Sequence, residues 1–404
     1  MKRRVDTSVG RRPRIVHRTS IRTSIWKKAT RKRQKAIDIF HDNDYHFQLC
    51  IGNSFLILLL IRIRGIHVVR TFSKPIIVIL SLMLMLLATA CGAKSEPAKE
   101  AEKPAAGAGQ EASSGVKTIK HALGTAEIKG TVKRVVALEW SMVEHLLAVG
   151  VQPAGIADIK GYNTWVNIAP KLDAGVVDVG SRTEPNLEAI AALKPDLIVA
   201  PDFRIKTSYE ALNKIAPTIA FNPYPAEGEG NQYEAMINTF KTIADLTGKQ
   251  AEADKVIADV EKSFAESKAK LKEKGKEGAE VVVTQAYSQQ NAAVMRLFTD
   301  NSMLVQIMNR IGLKNAFKSS KYEANGFSTA SVEALPAVQN ANFIYIVQDN
   351  DNIFEKQLKD NEVWKGLTFV KENRTHKLPG NTWTFGGPLS AKSIADLVTN
   401  ALTQ

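Results

Sequence analysis

The chain has 404 residues, 44% hydrophobic and 24% charged, the proportions of a globular protein long enough for two domains. Its formal net charge of +13 is concentrated at one end, because residues 1–91 hold 18 Lys and Arg against 4 Asp and Glu, leaving 36 against 37 for the remainder. With no folded basic face behind the arm from Lys2 to Lys35, nucleic-acid binding is not expected, and with only Cys50 and Cys91 present no disulfide framework can hold the fold.

Residues 1–67 combine that basic run with a separate apolar patch, Phe55 to Ile61, and read as a poorly ordered extension, untranslated altogether if the start codon lies near Val68 or Val69. Residues 68–91 read as a lipoprotein signal peptide. Arg70 and Lys74 precede an apolar run from Pro75 to Leu87, and Ala88-Thr89-Ala90-Cys91 closes it as a secretory signal ends at a lipid-accepting cysteine. An ordinary signal-peptidase cut at the same residues and a plain membrane anchor are the alternatives, although the run is short for a span. Residues 92–117 are Ala, Glu, Lys, Gly, Pro and Ser with almost no bulky apolar side chain, a composition that cannot pack and suits a flexible tether. The expectation is a protein lipid-anchored on the extracytoplasmic face of the cell membrane.

From Thr118 the pattern is that of a folded lobe, 118–232. A leading hairpin, Thr118 to Ile128, precedes the strand Val132 to Leu138; Glu139-Trp140-Ser141 then turns into a helix, Met142 to Val149, ended by Gly150. A short strand, Pro153 to Ala157, is followed by a loop over 159–175 in which Tyr162 and Trp165 either line a cleft or pack beneath it. The stretch from Gly180 to Ala200 is strand end, Arg182-bearing loop, helix opened by Pro185, and strand, with Lys194-Pro195 stopping the helix. Pro201-Asp202-Phe203-Arg204 repeats the device of an arginine after a strand. The helix Tyr209 to Ile215 and the strand Thr218 to Phe221 complete an alternation that implies a parallel sheet with crossover connections. A long helical region, 233–276, interrupted by Gly248 alone, reads as a rigid connector. The second lobe, 277–404, starts with the strand Glu280 to Gln285. Tyr287 and Arg296 flank a loop, Asn301 to Gly312 is a helix, Ser331 to Ala337 carries Glu333 into another, Phe343 to Val347 is a strand, and Ser390 to Leu402 is the last helix.

Four stretches together, RVVALEW at 134–140, the run 180–200, Gly326-Phe327-Ser328-Thr329 through Leu335, and Asn381-Thr382-Trp383 through Ser390, resemble the iron-siderophore substrate-binding proteins of ABC importers over roughly Lys117 to Gln404. The resemblance implies an α/β fold of two Rossmann-like lobes joined by a long rigid helix, the helical-backbone class of substrate-binding proteins. It also implies a monomer that takes a ferric siderophore and hands it to an ABC permease and its ATPase, with no cofactor and no directly bound metal.

Arg182 and Arg204 occupy equivalent strand ends and should face one crevice, where a planar fork of donors suits carboxylate or hydroxamate oxygen. The plainer reading is that each pairs with a nearby acid such as Glu184 or Asp202. Tyr287, Arg296, Phe327 and Trp383 are the second-lobe candidates, as aromatic walls hold a bulky chelate. The resemblance assigns Arg182 and Trp383 to the cleft and Arg204 to carboxylate-type members. Hydroxamate members carry a tryptophan where this chain has Asn325, so ferric citrate or another carboxylate chelate is favoured, hydroxamates come next, and haem or cobalamin is the alternative ligand. By the same resemblance, Glu188 and Glu333 are a pair of surface glutamates, one per lobe, that dock on the permease.

No catalytic spacing is present. After residue 91 the only histidines are His121, His145 and His376, with no nucleophile elbow, phosphate loop or metal-ligand cluster, so an enzyme built on two lobes is a remote reading.

Overall fold

The computed structural model describes residues 116–404, so the expected extension, the signal peptide with Cys91, and the tether as far as residue 115 lie outside the described residues. The leading hairpin is present as β1 (Val116–His121) and β2 (Gly124–Lys129), paired antiparallel. It lies beside a five-stranded parallel sheet made of β3 (Val135–Ala137), β4 (Gly155–Ile156), β5 (Val177–Asp178), β6 (Leu197–Pro201) and β7 (Thr218–Phe221), in the order β5-β4-β3-β6-β7.

Alternation along the central strands explains the layering. Val135, Ala137, Leu197 and Val199 enter one hydrophobic cluster while Val136, Leu138, Ile198 and Ala200 enter another on the opposite face, so the sheet is buried on both sides. The covering helices are α1 (Trp140–Ala148), α2 (Ile159–Trp165), α3 (Leu187–Ala192), a single turn α4 (Asp202–Ile205) and α5 (Tyr209–Ile215). Helix α2 falls inside the expected loop 159–175. Its cap could not be read from hydropathy, because Asp158 holds a left-handed φ of 60° while its carboxylate accepts from the Gly161 amide.

The connector also departs from expectation. It is two helices, α6 (Gln232–Leu246) and α7 (Gln250–Glu273), broken where Gly248 adopts a φ of 67°. Helix α6 bridges the lobes: Tyr233 and Met236 pack in the second-lobe core, and Ile243 and Leu246 in the first. Helix α7 packs Val260, Phe264 and Leu271 in the second-lobe core, while Ala253 near its start meets Val149 of the first lobe.

The second lobe holds a six-stranded mixed sheet. Its strands are β8 (Glu280–Gln289), β9 (Ala292–Phe298), β10 (Lys314–Asn315), β11 (Phe327–Ala330), β12 (Asn342–Ile346) and β13 (Thr375–Leu378), ordered β11-β9-β8-β12-β13 with β10 also on β8. Strands β8 and β9 form a hairpin across Gln290-Asn291, both at positive φ (49° and 65°), the backbone that a two-residue hairpin turn requires. Helix α8 (Met303–Arg310), short helices α9 (Glu362–Gly366) and α10 (Thr368–Lys371), a 3-10 helix over Val332–Val338, and α11 (Pro388–Thr403) cover this sheet.

Candidate ligand-binding cleft

In the first sheet β3 is central: the chain moves outward through β4 and β5 on one side, then returns to build β6 and β7 on the other. The connections leaving β3 and β6 therefore diverge, and a crevice opens at the carboxyl edge of the sheet. Three side chains are delivered there. Glu139 follows β3 and caps α1, accepting from the Trp140 amide at 2.9 Å. Arg182 stands in a small loop closed by a bridge between Gly180 and Pro185, in which Gly180 takes a φ of 94°. Arg204 lies in the single turn α4 that follows β6.

The two arginines share one carboxylate. Arg182 Nη1 donates to Glu139 Oε1 and Arg204 Nε to Glu139 Oε2, each at 2.7 Å, and Glu139 is only 6% exposed. Neither Glu184 nor Asp202, the acids nearest in sequence, forms an ion pair with them among the described residues. The Arg182 guanidinium also lies 3.5 Å above the Trp140 ring, which fixes its plane. Glu139 is the site residue that sequence reasoning missed; its signal was an acid placed between a buried strand and a tryptophan.

The opposite wall comes from the second lobe. Tyr287 and Arg296 lie on the paired strands β8 and β9 rather than at the edges of a loop. Arg296 Nη1 donates to Gln285 Oε1 at 3.0 Å, its guanidinium lies 5.1 Å from the Tyr287 ring and 4.7 Å from that of Phe327, and its buried Nε has no protein partner. Phe327 has two roles, packing against the second-lobe core in edge contact with Phe298 and Phe385 while also lining the cleft. Trp383 crosses between lobes. It meets Trp140 edge-on at 5.0 Å and packs against the first-lobe core, and its buried Nε1 is likewise unpartnered.

These walls enclose an inner cavity of about 500 Å³ and an outer one of about 460 Å³. Arg182, Arg296 and Trp383 line both, so the two are arms of one cleft. The combined size suits a drug-sized or larger ligand. Three guanidinium groups and one carboxylate, Glu139, line the inner arm, and although Asp158 also lies 3.9 Å from Arg182 Nε the arm is left cationic. His145 adds no charge, since burial pushes its pKa down to about 3. Desolvation, with Glu139 next, pushes Tyr224 up to about 12, so its hydroxyl stays a donor. Trp165, left open between cleft and packing, does both: it lines the outer arm and packs on the first-lobe core. Tyr162 is buried in that core.

Glu188 and Glu333 are exposed, each in the first turn of a helical segment, one in each lobe. The Ser331 hydroxyl donates to Glu333 and holds its pKa below the ordinary carboxylate value. Among the described residues, no three His, Cys, Asp or Glu side chains converge as a metal site, and no helix is long and apolar enough to cross a membrane.

A sequence model described as periplasmic binding protein matches residues 135–382. The chain is 31% identical over 330 residues to the Fe(3+)-citrate-binding protein YfmC of Bacillus subtilis (strain 168), covering 81% of this chain and 96% of that one. It is 32% identical over 272 residues to the iron(3+)-hydroxamate-binding protein FhuD of Escherichia coli (strain K12), covering 67% and 86%. Among solved structures, the Fe3+-Desferal-bound siderophore binding protein FhuD from Vibrio cholerae superposes with a TM-score of 0.61 at 30% identity, covering 68% of this chain and 98% of that one.

Proposed function

The chain belongs to the periplasmic binding protein family, and we propose that this member is an extracytoplasmic binding protein that captures a ferric siderophore between its lobes and delivers it to an ABC permease and its ATPase. The observation that carries this reading is the trio of arginines, two from the first lobe held on one carboxylate and a third facing them from the second, across a cleft walled by aromatic rings. Such a surface recognises an oxygen-rich anion through charge-assisted, planar hydrogen bonds, and a ferric chelate with carboxylate arms presents that chemistry. Ferric citrate or a related carboxylate chelate is the favoured ligand, with hydroxamates next. The cargo is bound and released unchanged, so no catalytic group is required.

Glu188 and Glu333 are assigned to permease docking, and Cys91 to the lipid anchor that keeps the protein at the membrane. The decisive experiment titrates ferric citrate, ferric hydroxamates, haem and cobalamin into the purified protein. Trp140, Trp165 and Trp383 line the cleft and report binding by fluorescence. Binding weaker than millimolar for every candidate, worth only about 4 kcal/mol, would refute the reading. Arg182→Ala or Arg204→Ala should weaken a carboxylate chelate by roughly ten- to hundredfold, the cost of about 1.5–3 kcal/mol for a charge-assisted contact. Unchanged affinity in both variants would remove the electrostatic argument, and tighter binding of a neutral trihydroxamate would reassign the ligand class.

A further inference from the structure

The cleft is not chemically uniform along its length. Its inner arm is ringed by three guanidinium groups and Glu139, whereas the outer arm, which shares Arg182 and Arg296 with it, adds the Asp351 carboxylate and the side chains of Tyr287 and Trp165. Asp351 is held firmly. The Ser288 amide donates to its Oδ2 at 2.8 Å and the Ser288 hydroxyl to its Oδ1 at 2.5 Å, while Gln357 Nε2 donates in turn to that hydroxyl at 2.5 Å. These donors are all neutral. The lysines nearby are engaged elsewhere: Lys377 pairs with Asp349 at 2.5 Å, and Lys356 donates to the Asn350 carbonyl. Among the described residues Asp351 forms no ion pair.

A half-buried carboxylate with spare lone pairs, fixed beside aromatic rings, is a receptor for an ammonium group, which gains both a charge-assisted hydrogen bond and attraction to the ring faces. A carboxylate in the same place gains neither, and a neutral amide keeps a hydrogen bond but forgoes the ion pair and the attraction to the ring faces. On the reading that a ferric chelate occupies this cleft, we propose that the outer arm is a subsite for a protonated amine on the chelate, with Asp351 as its specificity-determining residue. The preferred ligand is therefore dipolar, with carboxylate oxygen turned to Arg182 and Arg204 and ammonium turned outward.

The test uses two iron(III) complexes of citrate monoamides of 1,4-diaminobutane, one with its far amine free and one with that amine acetylated, and ferric citrate as reference. The net positive charge of the cleft favours the acetylated, more anionic complex, so only a local carboxylate reverses the order. Wild type should bind the free-amine complex roughly five- to tenfold tighter, with the margin shrinking as salt rises past about 0.15 M. Asp351→Asn, with its fold checked by circular dichroism, should abolish the margin. Equal affinities in wild type overturn the proposal whether or not the variant folds, as does a margin that survives Asp351→Asn. If ferric citrate binds but the two amides do not differ, only the subsite fails. If none of the three binds, the cleft reading fails with it.

Discussion

Replacing Glu144 should cost more stability than replacing any charged residue on the surface. Its carboxylate, on α1 of the first lobe, is 0% exposed and accepts from the Ser390 amide at 2.7 Å and the Ser390 hydroxyl at 2.6 Å, in the first turn of α11 of the second lobe. Gly387, the cap of α11, has no side chain to satisfy that turn, so a residue of the opposite lobe does so. The approach needs Gly386 bare, because a Cβ there would lie 2.5 Å from Glu144 Oε2. Glu144→Ala removes two hydrogen bonds and leaves both Ser390 donors without a partner. An unsatisfied buried donor costs about 1–3 kcal/mol, so the pair together costs several kcal/mol. With a urea m-value of about 1–3 kcal/mol/M, the unfolding midpoint should fall by more than about 1 M. A loss below about 1 kcal/mol would refute the assignment. Burial, the largest influence, raises the Glu144 pKa above its ordinary 4.5 against the opposing pull of Ser390. The folded state therefore holds this proton more tightly than the unfolded state does. That contribution is complete below the unfolded value and is lost as pH rises through the folded one. The stability of wild type relative to Glu144→Gln, which cannot titrate, should accordingly grow as pH is lowered from neutrality towards 4.5. A shrinking margin would show that the hydrogen bonds outweigh desolvation.

Glu139→Gln removes the carboxylate shared by Arg182 and Arg204, so stopped-flow association of an anionic chelate should accelerate and its salt dependence steepen; an unchanged salt slope would show that solvent already screens this charge. The double variant Glu188→Ala with Glu333→Ala should abolish uptake in cells while leaving chelate affinity within about twofold, because two exposed ion pairs of about 0–1 kcal/mol each gain register only when both engage a two-fold permease. Normal uptake would make the two glutamates merely solvated. Metabolic labelling with a palmitate analogue should mark wild type and not Cys91→Ser, and absence of label on wild type would leave an unanchored protein.

What was legible in the sequence followed from period and punctuation. The helix Tyr209–Ile215 and the strand Thr218–Phe221 fall where apolar spacing and Pro217 set them, and both arginines stand at strand ends of one sheet as the alternation of strands and helices implies. The arginines' partner was not legible, because Glu139 is 43 and 65 positions away from them and only the strand order β5-β4-β3-β6-β7 brings all three together. Helix α2 was hidden by a left-handed Asp158, and the β8–β9 hairpin by Gln290-Asn291, a pair with a weaker turn signature than Asn-Gly. The break at Gly248 was visible as a residue but not as a division of labour. How the flanking helices divide between the lobes depends on which core each apolar stripe meets, and both stripes have the same period.

Contacts that cross between lobes include the two-core helix α6, the Glu144–Ser390 hydrogen bonds, the edge contact of Trp383 with Trp140, and the hydrogen bond from the Tyr322 hydroxyl to the Pro225 carbonyl. A wide hinge opening would have to break a buried carboxylate's hydrogen bonds and pull apart a pair of packed rings, each a cost of kcal/mol scale. Opening by small shear of packed side chains avoids both. The arginines are likewise set in place before any ligand arrives, since Glu139 and the Trp140 ring hold Arg182 on two sides and Glu139 with the α4 turn holds Arg204. Little ordering entropy then remains for binding to supply, which favours affinity. On the proposed delivery to a permease, that permease would have only small displacements to sense. Two carboxylates on separate lobes, Glu188 and Glu333, suit that task, because their separation responds to relative motion of the lobes while each stays rigid on its own helical turn.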